Sequence, residues 1–188
     1  MGNNNKGNMI LLTILSIATL LVAVIGSTFA YFNISMSTRD NETTIEVTNG
    51  SISIEHQENA NISFTKQPAG TLVASKEFTI TGNITGSSNL NYEVDLKVNG
   101  NSFENNQLVY ELISTNDSNN GTIIPATNEK VTIPSGSNTI ILGKGIFAGP
   151  ITNGAVHKYI LNIYVADEAN PVDTALFEGK ITIAQASK

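Results

Sequence analysis

The sequence has no cysteine, no tryptophan and only two histidines, and charged side chains fill only 14% of its 188 positions. Each shortage removes a class of function. Without thiols there are no disulfide staples, no zinc–cysteine sites and no thiol nucleophiles. Ten basic residues stand against 16 acidic ones, for a net charge of −6. Such a chain has no basic face with which to displace counterions, so no nucleic-acid partner is expected. The histidines, His56 and His157, are about 100 residues apart, whereas a metalloprotease helix needs two His four residues apart around a Glu. What the chain does have is apolar side chains, at 40% of positions. That is too many for a disordered segment.

Only one long apolar run is present, the 17 residues Met9–Ile25. Lys6 precedes it, and Gly26-Ser27-Thr28-Phe29-Ala30 follows. This order matches a secretory signal peptide, with Thr28 and Ala30 as the small residues at −3 and −1 and Tyr31 as the first mature residue. The run is also close to the roughly 20 residues that span a bilayer, so an uncleaved N-terminal anchor through residues 9–25 is the alternative. A pilin-type leader cut after Gly7 fits less well, because Leu12 stands where such proteins carry a glutamate. Lys6 is the sole charge in residues 1–30, so cleavage leaves 158 residues with net charge −7. The location expected from this is extracellular or the cell surface.

Beyond residue 41 the period is two, the mark of half-buried strands. Tyr92, Val94, Leu96 and Val98 alternate with Glu93, Asp95 and Lys97, and Phe78 and Ile80 repeat the scheme. Further strands are predicted over 43–48, 51–55, 61–65, 108–114, 130–133, 139–142, 158–165 and 176–184. The segments at 108–113 and 159–165 are apolar on both faces in part, as central strands are. Asn49-Gly50 predicts a two-residue hairpin turn, and all five prolines (68, 125, 134, 150, 171) fall in predicted loops. About ten short strands predict an all-β, two-sheet antiparallel sandwich, jelly-roll-like, behind an N-terminal hydrophobic helix. The domains are then residues 1–30 as signal peptide or anchor, 31–41 as N-terminal strand and spacer, and 42–188 as the sandwich.

Chemistry is sparse. His56 reads as a solvent-exposed residue at a strand end. No Gly-x-Ser-x-Gly elbow exists, and the 16 serines and two histidines single out no triad. The acidic stretch Asp167–Asp173 lacks the alternating ligands and closing glutamate of a calcium loop and reads as a solvated turn. Gly143-Lys144-Gly145 lacks the frame of a phosphate loop. Seven Asn-x-Ser/Thr sequons occur, against about four or five expected by chance at this Ser/Thr content. No catalytic residue, metal or cofactor is expected.

The sharper signal follows Ala30. Phe32, Ile34 and Met36 alternate with Asn33, Ser35 and Ser37, so a mature chain opens on an amphipathic strand. It pairs within its own sheet, or it is donated to the next subunit in head-to-tail, non-closing contacts that build a filament. The junction Thr28-Phe29-Ala30-Tyr31-Phe32-Asn33 resembles the signal-peptide boundary of the TasA/camelysin family, secreted proteins of Gram-positive bacteria. Thr48–Ile54, Phe78–Asn83 and Tyr92–Val98 resemble that family's early strands, and Tyr159–Val165 and Phe177–Ile183 its last ones. The resemblance implies a jelly-roll-like sandwich and a biofilm-matrix fibre subunit whose partners are copies of itself or other surface proteins. The family's metalloprotease activity does not carry over, for want of a zinc motif. Two functions follow as expectations: an extracellular structural subunit, or a membrane-anchored surface module whose loops bind a ligand.

Overall fold

The computed structural model describes residues 42–47, 50–115 and 120–186, with Thr13, Ser16 and Thr19 upstream. The chain divides into two units, Met1–Arg39 and Asp40–Lys188. In the first, the three described residues are helical and exposed. Among the described residues no helix is long and apolar enough to cross a membrane. The cleavage residues Thr28, Ala30 and Tyr31 and the strand residues Phe32, Ile34 and Met36 lie outside the described residues.

The second unit is all-β. Its strands are β1 (Glu42–Val47), β2 (Gly50–His56), β3 (Asn61–Thr65), β4 (Leu72–Ile84), β5 (Leu90–Asn101), β6 (Leu108–Ser114), β7 (Gly121–Thr122), β8 (Val131–Thr132), β9 (Asn138–Phe147), β10 (Ile151–Val165) and β11 (Leu176–Gln185). They form two antiparallel sheets, ordered β1-β2-β4-β10-β6-β8 and β3-β11-β5-β9-β7. From β2 onward every connection leads to a strand of the other sheet. The two sheets therefore interlock through their loops, and β1–β2 is the one hairpin joining sequence neighbours among the described strands.

Period two explains the core. Ile52 and Ile54 of β2, Phe78 and Ile80 of β4, and Tyr159, Leu161 and Ile163 of β10 are buried from one sheet. Tyr92, Val94, Leu96 and Val98 of β5 meet them from the other, joined by Phe177 and Ile181 of β11. Between these rows lie mostly polar residues of intermediate or full exposure, Ile160 of β10 apart, as on a sheet with one wet face. β10 takes a central place between β4 and β6, as its two-sided apolarity predicts. The five prolines all lie outside strands.

Three local expectations need correction. The hairpin register pairs Val47 with Gly50, so Gly50 begins β2 rather than sitting in the turn. A Cβ on Gly50 would overlap the Asn83 carbonyl oxygen of β4. Glycine is there because two strands approach closely, not for a positive φ. Secondly, β5 is longer than the alternation of residues 92–98 and runs on through Asn99-Gly100 to Asn101. Thirdly, β10 begins at Ile151, seven residues before Lys158. Its register jumps from Ile151–Ile84 to Ala155–Gly82, so the turn-like Thr152-Asn153-Gly154 is a bulge inside a strand.

Candidate functional site

His56 and His157 are the chain's two imidazoles. His56 is buried, at 5% exposure, which corrects its reading as a surface residue. It continues the inward phase of Ile52 and Ile54 and packs on Phe78, with ring centroids 6.1 Å apart. Its Nδ1 makes no hydrogen bond. Burial, then the Lys76 ammonium, lowers its pKa to about 4. His157 is fully buried on β10, stacked on Phe147 at 4.1 Å, and burial alone lowers its pKa to about 4. Among the described residues no three His, Cys, Asp or Glu converge as metal ligands.

His157 instead ends a buried relay. The Ile124 N–H donates to the Tyr159 hydroxyl oxygen at 3.0 Å. The Tyr159 and Tyr92 hydroxyls lie 2.6 Å apart, and the Tyr92 hydroxyl lies 2.5 Å from His157 Nδ1. Only one direction gives every hydroxyl proton an acceptor: Tyr159 donates to Tyr92, and Tyr92 donates to Nδ1. His157 is then neutral, with its proton on Nε2. Burial holds both phenols protonated by raising their pKa values. Nucleophiles need an activating base and an approach for substrate. This cluster is sealed under Phe78 and Phe147, and what it does is hold the backbone of Ile124.

Ile124 belongs to a strap, residues 123–130, that joins β7 to β8 across the seam between the sheets. Ile124 and Ile133 plug the seam and are buried. Thr127 clasps β6: its N–H donates to the Leu112 carbonyl at 2.9 Å, and Leu112 N–H donates to Thr127 Oγ1 at 3.0 Å. Ser114 Oγ donates to the Ile124 carbonyl. Glycines make room for these contacts. A Cβ on Gly143 would overlap Ile124, and one on Gly145 would overlap the Tyr92 ring and hydroxyl. Gly143 and Gly145 thus serve packing, and nothing in them cradles phosphate.

Beside the strap runs a bare edge. β9 pairs with β5 along its length, but on its other side β7 pairs only with Phe147 and Ile146. Among the described residues no strand pairs with Asn138 to Gly145 on that side. A groove of about 640 Å³ adjoins them, lined by Ile124, Pro125, Val131, Leu142 and Gly143 among others. Val131 of the groove is exposed at 40%, and Ile141 on β9 at 54%. A bulge places Leu142 opposite no residue of β5. The sequence reading found only 139–142 of this strand. The signal it missed was the stretch 138–147 itself, which has no proline and a single charge, Lys144.

Other polar features are already committed. The acidic turn sits between β10 and β11 as expected, with Lys66 Nζ 2.6 Å from Asp173 Oδ1. A cleft of about 490 Å³ lies between Asn105–Gln107 and Ala166–Asn170. Two of its amides are bound within the fold: Asn105 Oδ1 accepts from the Ser135 N–H, and Gln107 Oε1 accepts from the Glu104 N–H.

No family model matches the chain, and no curated protein matches it. Among solved structures, the Podospora anserina GH26-CBM35 beta-(1,4)-mannanase is similar at 12% identity and a TM-score of 0.30, over 80% of this chain. The chain spans 29% of that protein's length.

Proposed function

We propose that this chain is a secreted structural protein whose sandwich joins copies of itself into extracellular filaments or matrix, residues 31–38 acting as a donated strand through Phe32, Ile34 and Met36. The observation that carries the reading is the core built downstream of residue 41. Among the described residues a continuous cluster of 29 apolar side chains is buried between the two sheets and their loops. The alternating sequence upstream of such a core, Phe32 to Met36, is the segment this reading gives to another subunit. The strand order supports a jelly-roll winding, with β3-β11-β5-β9 facing β4-β10-β6-β8. That winding agrees with the resemblance to the TasA/camelysin family. A ligand-binding module has less support among the described residues. Saccharide platforms use open aromatic faces, yet Tyr92, Tyr110, Tyr159, Phe78, Phe103, Phe147 and Phe177 are buried. The ring of Tyr164 is covered by Lys130 Nζ at 4.1 Å.

The test has two steps. Mass spectrometry of the exported protein should find Tyr31 as its first residue. Electron microscopy should then show polymers of the mature chain and only folded monomers when residues 31–38 are deleted. Polymers that survive the deletion, or an exported chain that retains Met9–Ile25 and stays monomeric, would sink the reading.

A further inference from the structure

We infer that the strap is an acid-released latch: a proton placed on His157 Nδ1 reverses the Tyr92–Tyr159 relay and frees the Ile124 end of the strap from the core. The latch lies within one sandwich and works whether or not copies assemble.

The direction of the relay couples its two ends. With Nδ1 unprotonated, Tyr92 donates to His157 and Tyr159 donates to Tyr92. The Tyr159 oxygen then accepts from the Ile124 N–H, 3.0 Å away. An imidazolium donates from both nitrogens. Nδ1 becomes the donor across the same 2.5 Å, and the Tyr92 oxygen accepts. The Tyr92 hydrogen must turn to Tyr159, 2.6 Å away. That leaves the Tyr159 hydrogen displaced from its acceptor. Among the described residues the other polar partner of this oxygen is the Ile124 N–H, itself a donor. Two hydrogens cannot share that line, so the Ile124 backbone is pushed off. Solvent supplies the one proton, and each phenol keeps its own hydrogen and only rotates it.

One end of the strap answers to this relay. Thr127 is held to Leu112 by two hydrogen bonds between groups that do not titrate, so it serves as the pivot. Ser114 Oγ on the Ile124 carbonyl resists release and helps keep the neutral latch shut. Ile124 fills the space over Gly143 and lines the groove with Pro125 and Leu142. Its departure deepens that groove toward the Tyr159 hydroxyl.

The surroundings leave His157 as the trigger. Its ladder partner is Ile80 of β4, and Phe147 of β9 stacks on it. The titratable groups facing it are Tyr92 of β5 and Tyr159 of β10, both kept protonated by burial. Glu93 and Asp95 of β5 and Lys158 of β10 stand on the opposite faces of their strands, and Lys144 of β9 pairs with Glu93. On β4 the charged residue in the inward phase is Lys76, four residues from Ile80 and beside His56 of β2. At the far end of the strap Glu129 is exposed and Lys130 covers Tyr164. Burial lowers the His157 pKa to about 4, so the latch is shut at neutral pH. Release is favoured progressively below about pH 6.5, where a solvated imidazole takes its proton.

The test is amide exchange of the chain as exported, read as protection factors at Ile124, Thr127 and Leu96 between pH 7 and pH 4. Protection at Ile124 should fall relative to Leu96 by up to about tenfold per pH unit below pH 6.5, while Thr127 keeps its ratio. Two variants should hold the Ile124 ratio flat. His157→Asn offers an acceptor near the place of Nδ1 that takes no proton, and Tyr92→Phe cuts the relay. Imidazole nitrogen-15 shifts of the native chain at neutral pH should place the His157 proton on Nε2. A proton on Nδ1 at neutral pH overturns the latch, because the relay would already be reversed with the strap shut. An unchanged Ile124 ratio in the native chain overturns it too, as does a fall that Thr127 shares. A fall that persists in either variant shows that acid loosens the strap by a route other than the relay, which also overturns it. The native-chain readings decide the matter even where a variant fails to fold.

Discussion

Tyr159 joins the core to the strap through a single oxygen. It accepts from the Ile124 N–H and donates toward Tyr92, so removing the hydroxyl orphans a buried backbone donor. A buried unsatisfied group costs about 1–3 kcal/mol. Tyr159→Phe should lower stability by about that much in urea unfolding with an unchanged m-value. Amide exchange at Ile124 should quicken more than at Val94 or Leu96. An unchanged midpoint would mean that the relay contributes nothing. The sequence showed half of this cluster. Tyr92 read as inward from its alternation with Glu93 and Asp95, but its partners lie 65 and 67 residues away, and no local pattern announces them. His56 is a different failure. Its phase with Ile52 and Ile54 pointed inward, while the flanking Glu55, Gln57 and Glu58 suggested a surface. The period was the better guide, because strand geometry leaves the side chain no choice of face.

At the scale of the element, two strands were legible to the residue: β3 and β6 run as read, 61–65 and 108–114. Strands were lost where another force overrides the period. In β9 the glycines at 143 and 145 replace the inward apolar residues, since Ile124 and Tyr92 fill that space from elsewhere. β7 is two residues long, too short for any period, whereas the equally short β8 lies within the predicted 130–133. The edge of β9 left unpaired among the described strands was invisible for a related reason, since a missing neighbour leaves no mark in the strand's own sequence. The β1–β2 hairpin gives a test at this scale. Gly50→Ala places a methyl on the Asn83 carbonyl of β4, and overpacking costs about 1–3 kcal/mol. The loss should be local. Amide exchange should rise across β1, β2 and the end of β4 near Asn83, with β5 and β11 unaffected. Uniform loosening of both sheets would show that the hairpin is not a separable unit.

For the whole molecule, the two imidazoles couple folding to pH. In the unfolded chain each takes a proton near pH 6.5, whereas in the folded chain burial delays protonation until about pH 4. Between these values the unfolded state binds up to two more protons, so stability rises with pH there and falls on acidification. The contribution is complete above about pH 6.5 and is lost progressively down to about pH 4, at up to about 3 kcal/mol per histidine. Asp95 works in the opposite direction. Burial, then Glu93, raises its pKa, so its protonation at low pH relieves the folded state. The exposed Lys66–Asp173 pair adds little to the balance. Urea midpoints between pH 7 and pH 4.5 should therefore fall steadily, and His56→Phe should remove about half of the slope. His56 is the better choice because its Nδ1 has no partner, whereas His157 accepts the Tyr92 proton and its loss would disturb the relay and the strap with it. A flat profile over that interval would show that both imidazoles titrate normally in the folded chain. The sandwich would then have to admit water to them, which contradicts their burial.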